Sequence, residues 1–192
     1  MHRVHLVRLL VVFVGLAVAD EARAEDAPPS PAAPRFEVAS WDEVQQIVAK
    51  ERGKIVVIDI WTTTCETCVQ ELPRFTALRE KYKPGDVTLV TLNCDYDGIA
   101  DKPPAYYRPK VESVLRESKA GRVRNLMLNI SFLDFLETID LSSTPAVLVY
   151  GRDGKLVRRF DNDQAKSADD EFGLSDVTKL VDSLVVRSAA TK

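Results

Sequence analysis

The sequence predicts a single α/β domain, and three observations carry that reading. Lys54–Trp61 is apolar almost throughout, as a strand buried on both faces is, and Asp86–Asn93, with Val87, Leu89, Val90 and Leu92, reads as a second central strand. A helix-type stretch, Val69–Tyr82, lies between them and gives the order β-α-β. A third apolar run, Ala146–Tyr150, leads through the turn signal Asp153-Gly154 into Leu156–Phe160, which pairs back antiparallel. A final helical stripe of Val177, Leu180, Val181 and Leu184 completes a β-β-α end.

The flanking elements follow in chain order. Ser40-Trp41-Asp42-Glu43 is a capping-box start, with Trp41, Val44, Ile47 and Val48 on one helical face. Pro73 is expected to kink the helix after the first long strand. Beyond Asn93 the pattern weakens: Asp95–Pro104 reads as a loop and Ala105–Lys119 as a helix with Val111, Val114 and Leu115 inward. Val123–Leu128 reads as a short strand and Ser131–Ile139 as a helix with Phe132, Phe135 and Leu136 inward. Asp161–Gly173 is an acidic polar stretch.

The first residues read as a targeting signal rather than as fold. His2, Arg3 and Arg8 precede an apolar run, Leu9–Ala19, and Ala22-Arg23-Ala24 has the form of a signal-peptidase site. The run is shorter than the ~20 residues of a spanning helix, so export with cleavage after Ala24 is expected, an uncleaved anchor being the alternative. Residues 25–35, with four prolines, read as an extended linker; residues 36–187 are the domain and 188–192 a tail. At 192 residues, with 45% hydrophobic and 29% charged side chains, such a domain has a sufficient core of its own. A net charge of −3 without a long basic run argues against a nucleic-acid partner.

Three cysteines and two histidines narrow the chemistry. Both histidines, His2 and His5, leave with the signal, which removes Ser-His-Asp and Cys-His mechanisms and any imidazole metal ligand. Outside the cytosol disulfides persist, and an odd count leaves one thiol over. Cys65-Glu66-Thr67-Cys68 stands where the first long strand passes into its helix. A helix beginning there aims free backbone N–H groups and its positive end at the Cys65 sulfur, favouring the thiolate that attacks disulfides. Cys68, one turn on, closes a small ring, so the pair is laid out as a reversible dithiol/disulfide switch. An inert structural bridge is the bland alternative, but so short a loop stabilises little.

Several residues repeat a known pattern. Trp61 precedes Cys65 by four residues, Pro73 follows Cys68 by five, and Thr144-Pro145 precedes the hairpin. Together Trp61, Cys65, Cys68, Glu71 and Pro73 give W-x-x-x-C-x-x-C-x-x-E-x-P. In this the chain resembles the thioredoxin-like superfamily, and more narrowly its exported TlpA/ResA-type thiol–disulfide oxidoreductases, over residues 36–187. The resemblance implies a three-layer fold, a mixed sheet with helices on both faces and an insert before a cis-proline loop. It also implies reduction of disulfide-containing protein partners, as in cytochrome c maturation. A membrane-linked thiol donor would re-reduce a monomeric protein that needs no cofactor or metal. Thr67 departs from the proline common before the second cysteine, and the segment after Asn93 is longer than usual.

Each remaining candidate has two readings. Asp59, alone in an apolar strand and spaced like the thioredoxin acid, is a buried proton-exchanging carboxyl or a strand-end Asp bonded to a loop or lysine. Glu71 either tunes the cysteine pair, as the resemblance implies, or is a solvated helix residue. Trp61 shields the thiols and contacts substrate, or belongs to the core; Thr144 and Pro145, by resemblance, face the cysteines and bind a partner strand. Cys94 reads as a buried, inert thiol. Tyr106 and Tyr107 line a partner edge or a packed loop. The rival functions are a Cu(I) carrier, which lacks a nearby Met or His, and a non-catalytic adaptor. A peroxidase is weaker still, since Ile58 stands where its proline would be.

Overall fold

A computed structural model describes residues 36–189. The expected signal peptide, the whole linker and the last residues of the tail lie outside them. Six strands form one sheet: β1 (Glu37–Ala39), β2 (Ile55–Trp61), β3 (Val87–Asn93), β4 (Arg124–Leu128), β5 (Ala146–Tyr150) and β6 (Leu156–Phe160). Their spatial order is β1-β4-β3-β2-β5-β6, parallel from β1 to β2 and antiparallel from β2 to β6. Among the described residues there are five α-helices: α1 (Trp41–Lys50), α2 (Glu66–Lys81), α3 (Pro104–Glu117), α4 (Phe132–Ile139) and α5 (Leu174–Ala189). The sheet is mixed, as expected. Strand β1 was not anticipated, because three residues are too short to show an alternation and their partner, β4, is remote in sequence.

Side-chain alternation along β2 sorts the layers. Val56, Ile58 and Ile60 pack with Val44, Ile47 and Val48 of α1 and with Phe135 and Leu136 of α4. Ile55 and Val57 point the other way, toward Phe75 of α2 and Val177 and Val181 of α5. Trp61 shares that second parity and packs with Cys68 and Leu72 of α2 and Val111 and Leu115 of α3. Asp59 falls between Val57 and Trp61 in the same series, so register alone delivers its carboxyl to the α2 side. Five helices therefore cover a sheet on both faces.

Local chemistry sets the boundaries. The capping box is formed: the Glu43 N–H donates to Ser40 Oγ at 3.2 Å and the Ser40 N–H to Glu43 Oε2 at 2.7 Å. Pro73 sits inside α2 without ending it, contrary to the break that a mid-helix proline invites, and the Thr76 hydroxyl donates to the Pro73 carbonyl at 3.1 Å. α5 runs to Ala189, past the domain boundary expected at 187. Gly98 takes φ +79°, and a Cβ there would lie 2.9 Å from that of Ser131, so only glycine lets the loop after β3 rest on the start of α4.

Candidate active site

Cys65 is the N-cap of α2, with extended φ −84° and ψ 101°, and its sulfur accepts the Cys68 N–H at 3.2 Å. The start of the helix is therefore aimed at this atom, as the strand-to-helix junction predicts. Thr62 fixes the approach: its carbonyl accepts the Cys65 N–H at 3.3 Å, and its hydroxyl accepts the same N–H at 3.2 Å. Cys65 is half-buried while Cys68 is only 3% exposed, and the two form a disulfide with Cα atoms 5.2 Å apart. One sulfur is reachable and the other is screened. That asymmetry is what a two-step exchange requires.

Behind Cys68 lies a cavity of about 240 Å³ lined by Asp59, Glu71, Phe75, Pro145, Phe172 and Leu174, among others. The Asp59 carboxyl has no hydrogen-bond or ion-pair partner among the described residues. The alternative of a strand-end Asp held by a loop or lysine therefore fails. Burial pushes its carboxyl up to about 7, and the nearby Glu71 charge adds to the rise. Glu71 lines the same cavity; its Oε1 accepts from Arg74 Nη1 at 2.7 Å, while Oε2 is enclosed without a partner among the described residues. Both acids and Cys68 thus border one space. Glu71→Gln is expected to lower the Asp59 titration without restoring an ordinary carboxylate value, because burial, the larger cause, is untouched. The Asp59 carboxyl signal followed by NMR against pH measures this, and an unmoved titration would show that Glu71 does not reach Asp59.

The Thr144–Pro145 peptide is cis, and Pro145 borders the same cavity as Cys68. Trp61 requires a correction. It is 0% exposed, with its ring among Leu72, Val111, Leu115 and Met127, so it touches Cys68 from beneath and presents nothing to a substrate. The cause is register: the last residue of β2 with inward parity falls under α2 and α3. Cys94 is 1% exposed and its thiol is pushed well up, first by burial and then by Asp95 and Asp59, which fits the inert reading. The sequence reading missed Arg74, Phe172 and Leu174 as parts of the cavity wall. The signal available was the apolar Phe172 and Leu174 at the end of an acidic stretch, a sign that the loop packs on something.

Comparison with known proteins agrees with this geometry. A family model described as Redoxin matches residues 28–186. Thiol-disulfide oxidoreductase ResA of Bacillus thuringiensis subsp. konkukian is 25% identical over 141 residues, covering 73% of this chain and 73% of that protein. Sporulation thiol-disulfide oxidoreductase A of Bacillus subtilis is 30% identical over 88 residues, 46% of this chain and 49% of that one. Among solved structures, a thiol-disulfide isomerase from Corynebacterium glutamicum superposes with a TM-score of 0.54 at 14% identity, covering 81% of this chain and 98% of that chain. A secreted Mycobacterium tuberculosis disulfide oxidoreductase gives 0.51 at 19% identity over 71% of this chain and 86% of that one. These two likenesses bear on the fold. With the family model spanning the domain, the chain belongs to the Redoxin family and is a thioredoxin-like thiol–disulfide oxidoreductase of the TlpA/ResA type.

Proposed function

We propose that the protein reduces disulfides of exported protein partners, with Cys65 as the attacking sulfur and Cys68 as the resolving one. The observation that carries this reading is the asymmetry of the pair: a reachable Cys65 sulfur under a helix N-terminus, and a buried Cys68 beside a carboxyl raised to about 7. The Cys65 thiolate attacks one sulfur of the partner disulfide, and that bond breaks as the Cys65 mixed disulfide forms. The released partner thiolate takes a proton from solvent. Asp59 then accepts the Cys68 proton, and the Cys68 thiolate attacks Cys65, expelling the second partner sulfur as a thiolate that is protonated in turn. Two electrons pass to the partner, which ends as a dithiol, while the protein ends as the disulfide.

The reductive direction rests on charge. Carboxylates facing Cys68 disfavour a thiolate there and so favour the disulfide, which is the poise of an electron donor. A thiol donor linked to the membrane would restore the dithiol, and Thr144 and Pro145 would offer backbone to the partner's extended segment. The basic start, the apolar run and Ala22-Arg23-Ala24 support export to a compartment where such partners keep their disulfides. Trapping tests the assignment. Cys68→Ser should accumulate mixed disulfides on Cys65 that a reductant releases, and Cys65→Ser should accumulate none. Equal trapping by both variants, or none by Cys68→Ser where a control oxidoreductase captures partners, would remove Cys65 from the attacking role.

A further inference from the structure

Arg159, on β6, stands opposite Leu148 of β5, whose side chain packs on the α1 and α4 side of the sheet. Residues paired across antiparallel strands share a face, so register carries the guanidinium to the end of α4. There Nη1 donates to the Ile139 carbonyl at 2.8 Å and to the Asp140 carbonyl at 2.7 Å. A helix end leaves carbonyls without intrahelical donors and favours a cation, and Arg159 answers both needs. Its Nε donates to Asp161 Oδ2 at 2.7 Å. Asp161 Oδ1 accepts the Asp163 N–H at 3.1 Å, and Asp163 Oδ2 accepts the Ser142 N–H at 2.9 Å.

These bonds converge on one short segment. Residues 141–145 run from α4 into β5 and contain the cis Thr144–Pro145 peptide. Arg159 holds the carbonyls just before Leu141, and Asp163 holds the amide of Ser142. Asn162, between the two acids, accepts the Phe172 N–H at 3.0 Å, and Asn162, Phe172 and Pro145 all line the cavity behind Cys68. The turn after β6 thus ties the proline loop to the Phe172 wall, while Arg159 and Asp163 act at one remove, since neither lines that cavity. A second observation sets Asp163 apart. Its Oδ1 is enclosed without a partner among the described residues, which costs stability, so fold stability does not account for an acid there.

We propose that Arg159 and Asp163 are positioning residues that set the Thr144–Pro145 backbone for a partner's extended segment, and so favour peptide disulfides over small ones. The inference rests on the role proposed for Thr144 and Pro145. An extended segment is gripped through main-chain hydrogen bonds, whose geometry tolerates little displacement of the loop that supplies them. A small aromatic disulfide has no such backbone and meets only the Cys65 sulfur. Loosening the loop should therefore weaken capture of a peptide while leaving attack on sulfur intact.

The test uses the reduced full chain, an extended peptide whose single cysteine carries thionitrobenzoate, and dithiobis(nitrobenzoate), which lacks a peptide. Cys65 expels thionitrobenzoate from either compound, and its release against concentration gives a half-saturating concentration and a limiting rate. Asp163→Ala should raise the half-saturating concentration for the peptide roughly fivefold to tenfold, the worth of about one main-chain hydrogen bond. Its limiting rate, and its rate with dithiobis(nitrobenzoate), should stay within about twofold. Arg159→Ala should do as much or more, and Arg159→Lys, which keeps a cation at the end of α4, should recover part of the loss. Asp163→Ala removes an enclosed oxygen and leaves the exposed Ser142 to water, so it should fold even where Arg159→Ala does not; urea midpoints check this. An unfolded Asp163→Ala, an unchanged peptide value, or equal losses with both compounds would overturn the positioning role while leaving Cys65 as the nucleophile. A wild-type chain with no lower half-saturating concentration for the peptide than for dithiobis(nitrobenzoate) would remove Thr144 and Pro145 from partner binding, and this inference with them.

Discussion

Asp59→Asn is expected to stabilise the oxidised protein by up to about 4 kcal/mol at pH 8 and by little near pH 4. The sign follows from the direction of the shift. The Asp59 carboxyl titrates near its ordinary 3.8 in the unfolded chain and at about 7 in the folded one. Between those values the folded state holds a proton that the unfolded state has lost, so stability falls as pH rises from about 4 to about 7 and then levels off. Asparagine carries no charge into the cavity and escapes that fall. Urea unfolding of both proteins at a series of pH values measures it, and a difference that stays constant with pH would show that Asp59 is not raised.

The same substitution should slow the chemistry. With no carboxylate to take the Cys68 proton, resolution of the mixed disulfide should drop on the order of 10²-fold near neutrality and recover as pH rises. A gain in stability paired with a loss in exchange is what a charge held in an unfavourable place for function predicts. A folded, more stable variant with unchanged resolution would leave Asp59 outside the proton path.

Trp61→Ala should cost about 3–5 kcal/mol, the range for removing a fully buried large aromatic, and Trp61→Phe distinctly less. A domain of this size is marginal enough for the alanine variant to be substantially unfolded at physiological temperature. The phenylalanine variant separates packing from recognition. Because the indole presents no surface, folded Trp61→Phe should keep its partner preference and differ only in its urea midpoint. An unchanged midpoint with lost partner binding would restore the substrate-contact role that the structure denies.

How far the sequence reaches is visible in these residues. The helix beginning at Cys65, the capping box at Ser40 and the hairpin around Asp153 and Gly154 were legible because each depends on a few adjacent side chains. Asp59 was legible as well, since one acid in an apolar strand must be handled somehow. Trp61 was not. An aromatic beside a redox motif looks the same whether it faces outward or lies beneath two helices. The wall formed by Phe172 and Leu174 was hidden in an acidic stretch, and β1 was too short for any periodicity to mark it.

By itself the sequence determined the order of elements, the position of a helix start at one cysteine and the presence of a lone strand carboxyl. These are properties of neighbours along the chain, fixed by hydrogen bonding and side-chain period. Only the tertiary structure decided that β1 pairs with β4, that Glu71 and Asp59 border one cavity, and that Trp61 is buried. Burial and charge–charge coupling depend on which distant segments meet, and that is settled when the whole sheet is covered by its helices.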